Sequence, residues 1–452
     1  MTTVTLVYPY FHSPSDNSSF RHPPLGLGYI AAYLKQHNIS VELVDCTFIS
    51  QEEALEKIRR SNPKIIGIYS MFSMKSKSLK IAKLTRKNCE LLVTGGPLPT
   101  LKPEEYLNDF DIVVIGEGEE TMLELVQNFE NRHDFSKVSG IAYKDKGKIK
   151  VTPPREQIKN LDSMPFPARE LFDNKGYKEY YFKKFGYTTT TIMSSRGCPF
   201  DCDFCSRPVF GNKLRTRSPA NVVDEMETVV ELGYDRIFFS DDCFTLSRKG
   251  LIEVCNEIIR RGVKIDWECL SRVDTVDREV TQKMKQAGCV RVFFGIESGN
   301  ESVLALMNKR ISLKQAEEAV HLTKQSGIQV GAFFIVGYPG ENNETILDTV
   351  RFASSLPLDY LSFTMPYPIP GTPLYDRMKE DIIFEDWEEP KNRSLVKHKL
   401  MFESPFSEAK LKFAILKARI QSKLRKHLGT NGYKIIGTPF EQITDFTFKH
   451  LL

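Results

Sequence analysis

Nowhere in the chain do about twenty apolar residues run together, the length a helix needs to cross a bilayer, so no transmembrane span is expected. A signal peptide is missing as well. The first residues lead straight into the strand-like TTVTLVYPY, and the expected compartment is the cytoplasm. Charge of one sign is also scarce: 62 basic residues against 58 acidic ones leave a formal net charge of +4, too little to make a footprint for nucleic acid. Nine cysteines in 452 residues with no secretory leader fit a reducing compartment and exclude a disulfide framework. Histidine is absent between His133 and His321.

Against these absences, three cysteines crowd one loop, Arg196-Gly197-Cys198-Pro199-Phe200-Asp201-Cys202-Asp203-Phe204-Cys205, in C-x-x-x-C-x-x-C spacing. Thiolates this close suit zinc or an iron–sulfur cluster. A structural zinc site asks for a fourth Cys or His nearby, but the next cysteine, Cys243, lies beyond a predicted helix. Three cysteines on a four-iron cluster leave one iron free to bind a substrate or cofactor. The spacing, the aromatic before the third cysteine and the preceding Arg-Gly resemble the cluster loop of the radical S-adenosylmethionine (SAM) enzymes. That resemblance implies a [4Fe–4S] cluster on Cys198, Cys202 and Cys205, with SAM chelated at the free iron and cleaved to a 5′-deoxyadenosyl radical. It also implies an external electron donor such as a ferredoxin or flavodoxin.

A chain this long exceeds one ordinary core. Over residues 1–130, short β-rich runs (4–8, 41–44, 65–69, 91–94, 111–115) alternate with helical stretches (26–37, 52–60, 77–87, 119–129), the pattern of a doubly wound parallel sheet. Ligands in such sheets bind at the carboxyl ends of the strands, which points to Tyr8, Pro9, Asp45, Ser70, Met71, Phe72, Thr94, Gly95, Gly96, Pro97, Gly116, Glu117, Gly118 and Glu119, with Tyr69 ending the third run. With Pro24, Leu25 and Gly26 before the first helix, these turns resemble the cobalamin-binding domain that precedes many radical SAM domains. The D-x-H-x-x-G box that supplies a histidine below cobalt is missing. His12, His22 and His37 are the only histidines before residue 130, and none has that context. The resemblance therefore implies cobalamin with its nucleotide tail tucked into the domain and loop 69–72 below the metal.

Residues 131–185 read as a connector, ending in the proline-punctuated run 161–169. Repeated βα units over 186–374 suggest a partial TIM-type barrel, with chemistry at the carboxyl ends of its strands. Those ends carry Asp241 and Asp242, Arg272, Glu297 and Ser298, and Gly337; with Phe204 they resemble the family's SAM-binding positions. Cys46, Cys89, Cys255, Cys269 and Cys289 lack paired spacing, which argues against a second cluster and so against the methylthiotransferases.

The remaining 375–452 reads as a helical cap on the substrate side, anchored by Phe384 and Trp387. From Ala409 to Phe440 it has no acidic residue, and Phe413, Leu416, Ile420 and Leu424 are expected to form the packed face of a basic amphipathic helix. A membrane surface or an acidic substrate is the alternative partner for its basic side.

The expected protein is a cytoplasmic, cobalamin-dependent radical SAM methyltransferase acting on an unactivated carbon. The family's substrates include peptides, among them a glutamine of methyl-coenzyme M reductase, as well as lipids, tetrapyrroles and antibiotic precursors. Two rivals stand beside it: a radical SAM enzyme doing ring closure or rearrangement, and a non-catalytic metal-binding assembly protein.

Overall fold

The computed structural model describes residues 3–11, 21–131, 134–206, 210–384 and 399–451. The first unit alternates β1 (Thr3–Tyr8), α1 (Leu25–Gln36), β2 (Ser40–Asp45), α2 (Gln51–Ser61), β3 (Ile65–Tyr69), α3 (Lys75–Thr85), β4 (Leu91–Gly95), α4 (Pro97–Leu101), β5 (Ile112–Val114) and α5 (Glu119–Asn131). Its strands lie in the order β2-β1-β3-β4-β5, all parallel. A hairpin of β6 (Ile141–Asp145) and β7 (Lys148–Val151) adds antiparallel at the β5 edge. β1, β3 and β4 are buried almost throughout, as strands covered by helices on both faces must be. Val4 and Leu6 face one core while Val7 faces the other.

The connector holds a helix that the sequence reading left out, α6 (Asn174–Phe185). The proline run before it is not a loose tether. Ala168 donates its N–H to the Gly28 carbonyl at 3.0 Å, and Ser218 N–H donates to Asp162 at 2.9 Å. Arg169 is buried and pairs with Glu225, which also holds Arg217.

The barrel's first strand, β8 (Thr189–Ile192), stands ahead of the cysteine loop, where no strand was read from the sequence. Its run of threonines carries no apolar alternation, yet all four residues are buried. β9 (Ser195–Arg196) and β10 (Arg215–Thr216) form a short antiparallel clasp. Then follow α7 (Pro219–Glu231), β11 (Arg236–Phe239), α8 (Arg248–Arg261), β12 (Asp266–Ser271), α9 (Arg278–Gln286), β13 (Cys289–Glu297), α10 (Glu301–Leu306), α11 (Leu313–Gln325), β14 (Gln329–Ile335), α12 (Asn343–Ser355), β15 (Tyr360–Thr364) and α13 (Pro373–Met378). The six long strands run parallel in the order β8-β11-β12-β13-β14-β15, an open, partial barrel. β14 ends at Ile335, short of the predicted Gly337, because Gly337 turns to φ +82° and its N–H caps the Glu341 carboxylate.

The tail folds as α14 (Glu408–Gly432), a π-helical turn (Tyr433–Gly437) and α15 (Thr438–His450). Its packed face is rotated from the expected one: Leu411, Ala414, Ile415 and Ala418 are buried, whereas Phe413, Leu416, Ile420 and Leu424 are only half-buried. Small alanines let α14 lie close to α12, so the larger side chains fall to the flanks. Lys417, expected on the solvated side, is 2 % exposed and pairs with Asp445. Trp387 lies outside the described residues, and Phe384 sits at the surface under Lys399.

Candidate active site

The cysteine loop leaves the barrel at the end of β8 and is held at both ends by the β9–β10 clasp. Gly197 opens it with φ +87°, and a Cβ there would stand 2.4 Å from the Lys213 carbonyl oxygen, so only glycine fits. Cys198 N–H donates to the Gly211 carbonyl (3.3 Å), Cys205 N–H to that of Cys202 (3.2 Å) and Asp203 N–H to that of Met307 (3.0 Å). The acidic residues between the cysteines are tethers to the barrel. Asp201 pairs with Arg310, while Asp203 accepts from both Arg377 nitrogens and from the Tyr338 hydroxyl. All three thiols are half-buried.

Two cations stand behind them. The Arg272 guanidinium lies 3.8 Å from Cys202 Sγ and 3.6 Å over the Phe200 ring, fixed by two 2.9 Å bonds to Asp274. Lys309, 6 % exposed, pairs with Glu297 Oε1 at 3.0 Å. Among the described residues no three Cys, His, Asp or Glu side chains stand close enough together to hold a metal ion, so the three thiols share one loop without being gathered. Soft thiolates on one loop with positive charge beside Cys202 are nonetheless the donor chemistry and field that would suit an anionic cluster.

The other barrel-end residues divide. Asp241 is buried, and its carboxylate is taken up by Ser194 N–H (2.7 Å) and the Ser194 and Ser195 hydroxyls (2.5 Å each). Burial pushes this carboxyl up to about 6. It therefore shapes the corner before the cysteine loop. Asp242 is the exposed member of the pair, and its carboxylate accepts from the Gly197 N–H beside Cys198. Glu297 sits on a bulge of β13 with φ +72°, a conformation a side chain adopts only under constraint. Ser298 turns away to bond Thr349, Gly337 packs against Leu411, and Phe204 meets Tyr338 edge-on at 6.5 Å. Cys243 is a buried thiol beside the Thr245 hydroxyl.

Between the first sheet and the barrel mouth lies a cavity of about 1270 Å³, larger than the roughly 300–1,000 Å³ of sites for drug-sized ligands. Most of the strand-end and turn residues singled out in the sequence line it: Tyr8, Pro24, Leu25, Gly26, Tyr69, Met71, Phe72, Thr94, Gly95, Gly96, Pro97, Gly116, Glu117, Gly118 and Glu119. Gly96 (φ +117°) packs so closely that a Cβ would fall 2.4 Å from the Ser70 carbonyl oxygen. The size and the glycine-lined wall fit a corrinoid. Asp45 and Ser70 do not line the cavity. Asp45 bonds Thr47 and Tyr177, and Ser70 bonds Ser78 and Tyr106, because both point from the sheet edge into the protein.

Other wall residues had no motif to reveal them: Arg21, His22, Lys77, Phe210 and Tyr367; Arg196, read only as part of the cysteine loop, lines the cavity too. His22 is stacked on Phe238 and Tyr181, and burial lowers its pKa to about 4. His12 lies outside the described residues. No described residue beyond Ile369 lines this cavity, so α14 and α15 of the expected cap pack away from it. Among the described residues of the tail, Tyr375, Ile382, Phe384 and Met401 share a small crevice with Phe72.

The cavity and the cysteine loop are joined by one buried charge network. Arg196 donates to Glu117 (2.8 Å) and Glu119 (2.6 Å), and Arg215 donates to Glu117 (2.9 Å), every side chain at most 9 % exposed. Burial alone would raise the Glu117 carboxyl, but the two guanidiniums hold it below its ordinary value.

Glu341 is the opposite case. Burial pushes its carboxyl up to about 8 despite N–H bonds from Gly337 and Tyr338 at 2.7 and 2.8 Å. Across that interval the folded chain keeps a proton that the unfolded chain has lost. The stability this group contributes is thus full below its ordinary range and falls as pH rises through 8. Relative to Glu341→Gln, the wild-type chain should lose on the order of 2–4 kcal/mol between about pH 5 and pH 9. Urea unfolding of both at several pH values checks this, and a pH-independent difference contradicts it.

Comparison with known proteins gives two family matches: a B12-binding domain over residues 15–126 and the Radical SAM superfamily over residues 192–353. The chain is 35% identical to an uncharacterized methyltransferase of Pyrococcus horikoshii, covering 78% of each. It is 30% identical to an anaerobic magnesium-protoporphyrin IX monomethyl ester cyclase of Cereibacter sphaeroides, over 85% of this chain and 65% of that one. In fold it is similar to the cobalamin-dependent S-adenosylmethionine radical enzyme OxsB, solved with aqua-cobalamin and S-adenosylmethionine bound. That match has a TM-score of 0.74 at 19% identity and covers 100% of this chain and 72% of the other.

Proposed function

Because this chain belongs to the radical SAM superfamily and carries a B12-binding domain, we propose that it transfers a methyl group to an unactivated carbon, with Cys198, Cys202 and Cys205 holding the [4Fe–4S] cluster. When bound, the cluster supplies the electron that cleaves SAM, and cobalamin carries the methyl group to be transferred. One observation supports this reading most: the glycine-rich strand ends of the first sheet and the barrel residues Met193, Arg196, Phe210, Tyr367 and Ile369 line the same cavity. A carrier seated on the sheet edge thus shares its cavity with Arg196, two residues before Cys198.

The residues divide the work. Arg272 and Lys309 balance the charge of the cysteine loop. Asp242 is the exposed carboxylate for a cationic ligand beside Cys198, and Asp241 holds the corner that aims it. Met71, whose Sδ lies 3.9 Å from the Tyr69 hydroxyl, forms part of the floor under the sheet-edge ligand.

Met71→Asp tests the division. A charge in that floor displaces the corrin, and transfer needs reacting atoms held within about 3–3.5 Å. Deoxyadenosine should then accumulate at least several-fold over methylated product in anaerobic turnover, while iron content stays normal. An unchanged ratio would remove the first domain as the seat of the methyl donor. Similarity to the ester cyclase favours a second reading, ring closure on a tetrapyrrole. Product mass separates the two, since closure adds no methyl group.

A further inference from the structure

The last two helices present an apolar surface that nothing in the described chain covers. Ile435 and Ile436 in the π-helical turn are 75 % and 54 % exposed, and Ile443 and Phe446 on α15 are 67 % and 59 % exposed, with Leu451 following at 68 %. Ile436, Ile443 and Phe446 recur at helical spacing and form one stripe along α15. Its opposite side is the packed one: Phe448 is fully buried, Glu441 pairs with Arg351 and Arg425, and Asp445 pairs with Arg351 and Lys417.

Charge of one sign predominates in this segment. From Glu408 to Leu451 there are nine lysines and arginines against three acidic residues. All three acidic residues are engaged by cations of the protein, Glu408 by Lys412 and the other two as above. Lys423, Lys426 and Lys434 remain exposed on the same helical hairpin. A large apolar stripe accompanied by lysines, with every carboxylate already neutralised, matches the surface of an anionic bilayer, where apolar side chains enter the headgroup boundary and lysines meet the phosphates. A soluble protein partner would more commonly be met by a polar, mixed-charge rim.

We propose that the α14–α15 hairpin docks this protein on anionic membrane surfaces through Ile436, Ile443 and Phe446, with the exposed lysines supplying the preference for negative lipid. No helix among the described residues is long and apolar enough to cross a membrane, so the contact is a peripheral one. The inference does not depend on the proposed reaction.

Co-sedimentation of the full chain with vesicles of phosphatidylcholine alone, or with phosphatidylglycerol added, tests it. The bound fraction should rise at least several-fold with phosphatidylglycerol and fall again at high salt. Ile443→Asp combined with Phe446→Asp should abolish binding, and because both side chains face solvent the fold should survive, as circular dichroism would show. Lys423→Glu with Lys426→Glu should remove the lipid preference. Failure of the wild-type chain to sediment with either vesicle overturns the proposal, as does equal binding by the aspartate variant. Light scattering on the same samples provides the other decision. A dimer that dissociates in the aspartate variant, without vesicle binding by the wild type, makes the stripe a contact between two copies instead.

Discussion

Replacing Cys198, Cys202 and Cys205 together by alanine should strip the protein of bound iron and sulfide and reduce SAM cleavage to background. The loop around them is built independently of the thiols. Its acidic residues are tied to Arg310, Arg377 and Tyr338, and its ends are clasped by β9 and β10. Alanines there should leave the fold intact, and the loss will report on ligation. Iron and sulfide assays with the visible spectrum, after anaerobic purification, decide it. A triple variant with normal iron and sulfide would mean that other cysteines are the ligands. The buried thiols Cys46, Cys243, Cys255, Cys269 and Cys289 are then the next to test.

Arg196→Met should be the most destabilising single change between the two units. It deletes the partner of Glu119 outright and half of the cation pair around Glu117, leaving buried carboxylate charge uncompensated. Breaking a buried pair from one side costs about 3–5 kcal/mol, far more than an exposed pair is worth. Removing the stranded charge as well, by combining Arg196→Met with Glu119→Gln, should recover part of the loss, because residues in one network are not additive. Urea unfolding of the wild type, both single variants and the double variant measures this coupling. Strict additivity would show that Arg196 and Glu119 do not stabilise the native state jointly. The same substitution changes the wall of the cavity two residues from Cys198, so the corrinoid content of Arg196→Met should fall too.

The fold was legible where apolar period and turn residues agreed. The parallel strands of the first unit and the βα units from 219 onward follow from buried Val, Ile and Phe runs separated by glycine. β8 was missed because Thr189–Ile192 is polar by composition, and its threonines are buried only through the strand and linker placed beside them. The face of α14 was misplaced for a related reason: the largest apolar side chains were taken for the packed ones, whereas close approach to α12 selects Leu411, Ala414, Ile415 and Ala418. At the site, the cysteines and most of the glycine turns could be read from local spacing. Arg21, His22 and Lys77 could not, although they stand within a few residues of Pro24 and Phe72, because no turn or motif marks them; Arg196 was visible only as part of the cysteine loop, since its reach to the first unit's cavity joins segments far apart in the chain. Asp241 and Asp242 looked alike in sequence; the two serines after β8 separate a structural carboxylate from an exposed one.

The proline run between the two sheets has a consequence for motion. Its Arg169 is locked to Glu225 and to the Thr191 carbonyl, its Asp162 caps the entry to α7, and its Ala168 is pinned to α1. A segment so fastened is a seam and cannot serve as a hinge, because swinging the halves apart would expose paired charges that are otherwise dry. Entry of a large ligand then falls to the cavity wall, where Phe72 meets Tyr367 edge-on and Tyr69, Met71 and Ile369 share the lining.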